Sequence, residues 1–311
     1  MRCALEVWGA DFHQLVATCR RAEELDLDGF YYGESPTGLH LDCWTTLAAL
    51  ARSTERIRLG PVITNVLPGY RSTVLLAKQA ATAAVVAAGR IDFRTGVGAA
   101  TAPGRAWWQP FGIDYGPYPE RAAGLDHTMG QLLELWAGRP VDLGGGEAVT
   151  LGFECPSIPV TIAAVGPTGM TLAATHARTW EASFCTPAEY RTLDQRFRAL
   201  APTSGGADPA ADPITRSLEI DAVIGTTEAR ATEALATFRH DRADEDLDRL
   251  LGRALVGTPP AVAEQLAALA EAGVDQVVVA PHDPHAVDAL EALAAARAML
   301  APTTVANRPH P

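Results

Sequence analysis

R-I-R-L-G-P-V-I-T-N-V-L-P-G-Y-R-S-T-V-L-L-A-K-Q-A-A-T-A-A-V-V-A-A-G-R-I-D-F-R-T-G-V-G, running from Arg56 to Gly98, is the stretch whose pattern decides the fold. Ile57, Leu59, Val62 and Ile63 read as a strand, and Pro68-Gly69 turns the chain. Residues 74–86 form a long Ala-rich helical pattern. Gly89 ends it, and residues 91–97 begin a second strand. Two strands joined by a helix form a βαβ unit, and that crossover implies parallel pairing.

The same alternation extends in both directions. Upstream lie a strand at 3–8, a helix at 15–27, a short strand at 29–33 and a helix at 41–52. Downstream, residues 98–118 read as a long irregular segment with Trp107, Trp108, Phe111 and Tyr115 among several Pro and Gly. A helix at 120–136 and a Gly-rich hairpin at 141–153 follow. Strands are expected at 160–164, 179–184, 218–224 and 274–280. Helices are expected at 168–176, 188–200, 227–251, 260–272 and 284–300. Eight strands, each followed by a helix, fit an α/β (β/α)8 TIM barrel with insertions after strand 4 and before strand 5. A doubly wound open sheet is the rival. Residues 1–300 are expected to form one domain, 201–213 a mobile loop and 301–311 a disordered tail.

The chain has 311 residues, 48% of them hydrophobic, and a formal net charge of -12. It has no Lys/Arg-rich block, so neither nucleic acid nor an anionic membrane is an expected partner. No run approaches the roughly 18 apolar residues of a membrane span, and the N-terminus opens on a strand pattern, so a cytoplasmic location is expected. The five cysteines are scattered without a C-x-x-C, which argues against a disulfide framework and a zinc site. P-loop, H-E-x-x-H and complete dinucleotide fingerprints are absent.

Barrel sites sit at the C-terminal strand ends. That rule selects Trp8, residues 34–40, residues 64–71, residues 98–108, residues 165–169, Glu181, Asp221 and His282. Val165-Gly166-Pro167-Thr168-Gly169 lies between a strand and a helix. It could bind an anion through free helix N–H groups, or be no more than a tight turn with a cap. Asp92 and Arg94 alternate on one strand, and a buried ion pair or core layer is the preferred reading. Trp107 and Trp108 divide between packing and covering a pocket. V-G-T-P-P at 256–260 reads as a helix start with Pro in its first turn.

The opening stretch resembles the luciferase-like flavin-dependent oxidoreductases. Arg56-Ile57, Leu59-Gly60, residues 79–82 (Q-A-A-T), Gly89-Arg90 and Gly96-Val97-Gly98 carry the resemblance, which extends over almost the whole chain. It implies the barrel and a flavin or deazaflavin cofactor. It implies a cofactor phosphate near Ala164, Val165, Gly166, Pro167, Thr168 and Gly169. It also implies ring support at Thr64 and Asn65, with a bulge or non-prolyl cis peptide between Ile63 and Val66.

The family's acid-His pair after strand 2 is here Glu34-Ser35. Glu34 is a catalytic candidate, as is His40 if it re-enters from the loop; a solvated loop histidine is the alternative. Where deazaflavin dehydrogenases carry a Glu, this chain has Ala99-Ala100-Thr101. Arg121 remains on the following helix, but His127 stands where the family has a Glu, and no catalytic role is assigned to it. Glu181, where relatives carry Asp-Gly, is a further candidate cofactor contact. Trp8, Tyr70, Trp107 and Trp108 are the expected substrate contacts.

The preferred reading is a monooxygenase that uses O2 and reduced FMN, supplied by a separate flavin reductase, on a small organic substrate. Hydride transfer with coenzyme F420, a deazaflavin, is the alternative. A non-catalytic flavin-binding subunit is the third. A homodimer and no metal are expected.

Overall fold

The computed structural model describes residues 1–35, 40–67, 69–200 and 214–300. The readings at Pro68, at 201–213 and at 301–311 lie outside these residues. The elements, in chain order, are β1 (Arg2–Val7), α1 (Phe12–Glu24), β2 (Gly29–Gly33), α2 (Cys43–Ala51), β3 (Arg58–Val62), α3 (Thr73–Val86) and β4 (Phe93–Gly96). Next come α4 (Thr101–Trp108), a 3-10 turn (Gln109–Phe111), α5 (Tyr118–Trp136) and the hairpin β5 (Val141–Asp142) and β6 (Ala148–Val149). The chain continues through β7 (Val160–Ala163), α6 (Pro167–His176), β8 (Thr179–Ser183), α7 (Pro187–Leu200), β9 (Thr215–Ile224) and α8 (Glu228–Asp241). It ends with α9 (Leu247–Leu251), β10 (Ala254–Gly257), α10 (Pro259–Glu271), β11 (Gln276–Pro281) and α11 (Val287–Met299).

Local sequence explains where the helices begin. Asp11 accepts hydrogen bonds from the N–H groups of His13 and Gln14 at the start of α1. Asp42 caps α2 and Ser72 caps α3 in the same way. Each side-chain oxygen satisfies an N–H that the helix itself leaves free. Pro259 opens α10, as the sequence implies. Gly89 takes a positive φ of 82° just past α3, a conformation open to glycine at little cost.

The strands run parallel in the order β3-β2-β1-β11-β9-β8-β7-β4. Parallel bridges Leu59↔Ile91 and Thr64↔Thr95 join β3 to β4 and close the ring. The result is a nearly closed eight-stranded barrel wrapped by helices, not an open sheet. The strand starting at Ala254 was not expected; it pairs with the upper half of β9, beside β8. The segment after β4 is also more regular than expected, since it contains α4.

Burial sorts the residues of each strand by face. Leu5, Phe30, Leu59, Phe93, Ile162, Trp180, Leu218 and Val277 point outward and pack under the helices. Trp180, for example, stacks on Phe197 at 4.6 Å. This layer, with about 1.5–3 kcal/mol per fully buried large apolar side chain, is the main hydrophobic core. A separate small cluster, Ala4, Tyr31, Val62 and Val278, accompanies polar groups including Glu6, Asp92, Arg94, Glu181, Ser217 and Gln276, all buried. The barrel interior is therefore polar and charged.

Of the two expected readings for Asp92 and Arg94, a mutual ion pair or a layer of the barrel core, the second holds: both are buried in the interior, but they pair with other residues. Arg94 pairs with Glu181 at 2.5 Å, and Asp92 pairs with Arg58 at 2.6 Å and accepts from the Tyr31 hydroxyl at 2.8 Å. Long side chains from other strands reach these groups across the lumen, whereas two residues on one strand have Cβ atoms a full pleat apart.

Candidate functional site

A cavity of about 800 Å³ opens at the C-terminal ends of the strands. A smaller polar one, about 320 Å³, lies at the opposite end beside Arg2, Asp28, Arg58 and Gln276. The larger has the size and apolar walls of a small-molecule or cofactor site.

One side is built from residues with little side chain. Gly96, Gly98, Ala99, Ala163, Ala164, Gly166 and Gly169 come from the ends of β4 and β7 and the start of α6. A Cβ on Gly96 would lie 3.0 Å from the Ala163 carbonyl oxygen and 3.1 Å from Ile63 Cδ1. Backbone is thus exposed to whatever enters. Helix α6 starts here with Gly166 as its N-cap and no side-chain capping bond. The N–H groups of its first turn remain free, at the positive end of the helix dipole, on the rim of the cavity. Within the expected turn, Ala164, Val165, Gly166 and Gly169 line the cavity. Pro167 and Thr168 are exposed beside it.

Opposite, β3 ends at a cis peptide between Val62 and Ile63. This is a non-prolyl cis bond of the expected kind, but it falls before Ile63, not between Ile63 and Val66. Ile63 and Asn65 line the cavity. Thr64 turns away into full burial; its N–H donates to the Arg94 carbonyl at 2.7 Å.

Glu34 lines the same wall. Its carboxylate meets Arg71 at 2.6 Å, the Tyr70 hydroxyl at 3.1 Å and the Asn65 N–H at 3.3 Å. Burial still holds its pKa above the ordinary carboxylate value, although Arg71 pulls the other way. Tyr70 serves this network and packs on Trp108 at 4.9 Å instead of lining the cavity. His40 does re-enter. It lines the cavity, its ring lies 4.6 Å from that of Trp8, and its Nδ1 accepts from the Gly9 N–H at 3.4 Å. Partial burial lowers its pKa, which favours the neutral imidazole.

The cover comes from the segment after β4. Trp108 is buried with Leu67 and Tyr115, whereas Trp107 is 56% exposed; both line the cavity. Trp108 is thus the packed one of the two, and Trp107 stands exposed at the cavity. A Cβ on Gly104 would come within 2.1 Å of the Tyr115 ring, so glycine is what lets that ring seat against α4. Arg121 holds the segment from below, bonding the carbonyls of Val97, Gly116 and Ala99. His127 is exposed on α5 and does not line the cavity.

Sequence reasoning missed Glu6 and Glu219. Both line the cavity from the middle of the barrel. Trp8 Nε1 donates to Glu6 at 2.5 Å, and Ser183 Oγ donates to Glu219 at 2.7 Å. Glu181 sits deeper, wholly buried, accepting from Ser217 Oγ at 2.7 Å as well as pairing with Arg94. It does not line the cavity, which removes it as a cofactor contact. Asp221 and His282 are also outside the cavity; His282 bonds Asp241 at 2.9 Å. The cysteines are free, and among the described residues no metal-binding cluster exists.

The family model for luciferase-like monooxygenases matches residues 4–276. No curated protein matches. Solved structures do, at low identity. An F420-dependent secondary alcohol dehydrogenase in complex with an F420-acetone adduct is 16% identical with a TM-score of 0.76, over 95% of this chain and 99% of that one. EDTA monooxygenase from Chelativorans sp. BNC1 is 15% identical with a TM-score of 0.77, over 97% and 95%. The oxygenating constituent of 3,6-diketocamphane monooxygenase from Pseudomonas putida, in complex with FMN, is 17% identical with a TM-score of 0.73, over 97% and 98%.

Proposed function

We propose, on the premise that this chain belongs to the luciferase-like monooxygenase family, that it is a monooxygenase that binds reduced FMN and oxidises a small organic substrate with O2. An oxidoreductase working through a flavin or deazaflavin is the coarser statement, and the family supports it. The observation that supports a flavin-type cofactor is the cavity itself, and the finer choice of FMN rests on Ser35 and Ala99. A wall of Gly and Ala lets a flat ring approach the backbone. An uncapped helix N-terminus stands where a phosphate is accommodated, and aromatic groups shut out water.

In this reading Gly166 and the first-turn N–H groups of Thr168 and Gly169 hold the phosphate. Ile63 and Asn65 support the ring from one face. Reduced FMN supplies two electrons, so that one oxygen atom of O2 enters the substrate and the other leaves as water. Trp107, Trp108 and Tyr115 keep bulk water from the reacting atoms. Glu34, fixed by Arg71 and Tyr70, keeps Asn65 oriented, and His40 offers a neutral imidazole at the rim.

The same cradle has room for a deazaflavin. Ser35 and Ala99 stand where deazaflavin dehydrogenases carry His and Glu, and that weighs against hydride transfer. Reduced flavin would come from a separate reductase. The test is to mix the protein–reduced FMN complex with oxygenated buffer. Flavin reoxidation slower than that of free flavin supports the reading, and reoxidation at the free rate contradicts it.

A further inference from the structure

The charges inside the barrel do not cancel. Arg94 is matched by Glu181, Asp92 by Arg58 and Glu34 by Arg71. Glu6 and Glu219 form no ion pair among the described residues, and Arg94, already paired with Glu181, acts on Glu6 only from a distance. No Lys or Arg lines the cavity among the described residues, while three carboxyls do. Glu6 is 6% exposed, and its Oε2 has no formed hydrogen bond. The Glu6 and Glu219 side chains both line the cavity and interact with each other. Burial and mutual repulsion push Glu219 far above, and burial pushes Glu6 above, the ordinary carboxylate value. Two neighbouring carboxyls disfavour ionising together, so the pair favours one shared proton and one negative charge over two charges.

That charge lies under an apolar, aromatic chamber. Trp8, whose indole N–H is committed to Glu6, turns its ring over Gly33, where any Cβ would strike it at 2.1 Å. Trp107, Trp108, Tyr115 and Phe184 complete the aromatic lining. A single negative charge beneath aromatic faces recognises an organic cation.

We propose that the substrate of this cavity is an apolar amine, whose ammonium group sits on the Glu6–Glu219 pair. The proposal rests on the cavity being the substrate site of the reading above and names the class of molecule it takes. An anionic substrate would meet the charge of the Glu6–Glu219 pair with no Lys or Arg lining the cavity among the described residues, and a neutral one would leave that charge uncompensated.

The experiment is calorimetric titration of the cofactor-free protein with matched pairs: benzylamine and benzyl alcohol, phenethylamine and 2-phenylethanol, tryptamine and tryptophol, octylamine and octanol. At least one amine should bind about tenfold or more tightly than its alcohol. Glu6→Gln and Glu219→Gln should each abolish that preference while the alcohol's affinity holds. Circular dichroism of both variants checks that they are folded, and Ser183→Ala, which keeps both carboxyls, should retain the preference. No amine preference in any pair, or a preference that survives both Gln variants, overturns the proposal. Reduced FMN is titrated separately into the same protein. Loss of FMN binding with intact amine preference defeats the cofactor reading alone, and the converse defeats this inference alone.

Discussion

Glu219 carries the residue-scale consequence of a polar barrel interior. Its folded-state pKa is raised, so the folded chain holds a proton that the unfolded chain releases above its own pKa, about 4.3. Stability from this group is therefore intact below that value and is lost as pH rises toward the folded pKa. Glu219→Gln should raise the melting temperature at pH 8 more than at pH 5, as thermal melts at the two values will show; an equal effect at both contradicts the assignment. The Arg94–Glu181 pair is a different case, because the carboxyl group meets a guanidinium at 2.5 Å in full burial. The sequence shows Glu6, Arg94, Glu181 and Glu219 as polar residues inside apolar runs. It does not show that they face the lumen. A strand buried on both sides looks apolar on both, and only ring closure distinguishes lumen from helix layer.

Among elements, the start of α6 and the cover of the cavity permit separable predictions. Gly166 is in extended backbone, φ -101° and ψ 158°, and a Cβ there meets nothing within 4 Å. Aspartate fits this N-cap position and should change stability by at most about 0.5 kcal/mol in the favourable direction. Its charge would occupy the phosphate position. Gly166→Asp should therefore leave the melting temperature unchanged or slightly higher, and weaken reduced FMN binding by tenfold or more, about 1.4 kcal/mol. Unchanged FMN affinity would move the phosphate elsewhere. In the cover, Trp107→Ala should raise KM with little loss of stability. Trp108→Ala should cost about 3–5 kcal/mol by emptying a packed site, measured by denaturant unfolding. Helix α4 itself was hidden by Pro103 and Gly104, which read as breakers. Pro103 falls in the first turn, where proline is tolerated, and Gly104 is needed by Tyr115, so both signals point the wrong way for tertiary reasons.

At the scale of the whole molecule, alternating strand and helix patterns were enough to place all eight barrel strands, because each βαβ unit repeats the same local logic. β10 escaped because V-G-T-P-P announces the helix after it and leaves only four residues for the strand. The α6 turn at 165–169 was legible as a candidate from residue type and position, whereas the Gly and Ala wall was not, since its members come from separate strand ends. The carboxyl pair was not, since its members are 213 residues apart in the chain. Helix α3 offers a route to assembly: Val74, Leu75 and Val85 are exposed on a face that also carries Lys78 and Thr82, a mixed surface open to a second copy of this chain. We propose a homodimer through this face. Light scattering should give twice the chain mass, and Leu75→Glu with Val85→Glu should give one; a monomeric parent chain contradicts the proposal.

The most direct test of the central claim is anaerobic titration of the purified protein with reduced FMN and, in parallel, with reduced coenzyme F420, followed by absorbance and by admission of oxygen. The account predicts tighter binding of reduced FMN and an oxygen-dependent absorbance transient in the bound flavin. Preferential binding of the deazaflavin, with no response to oxygen, would contradict it and identify the cavity as a site of hydride transfer.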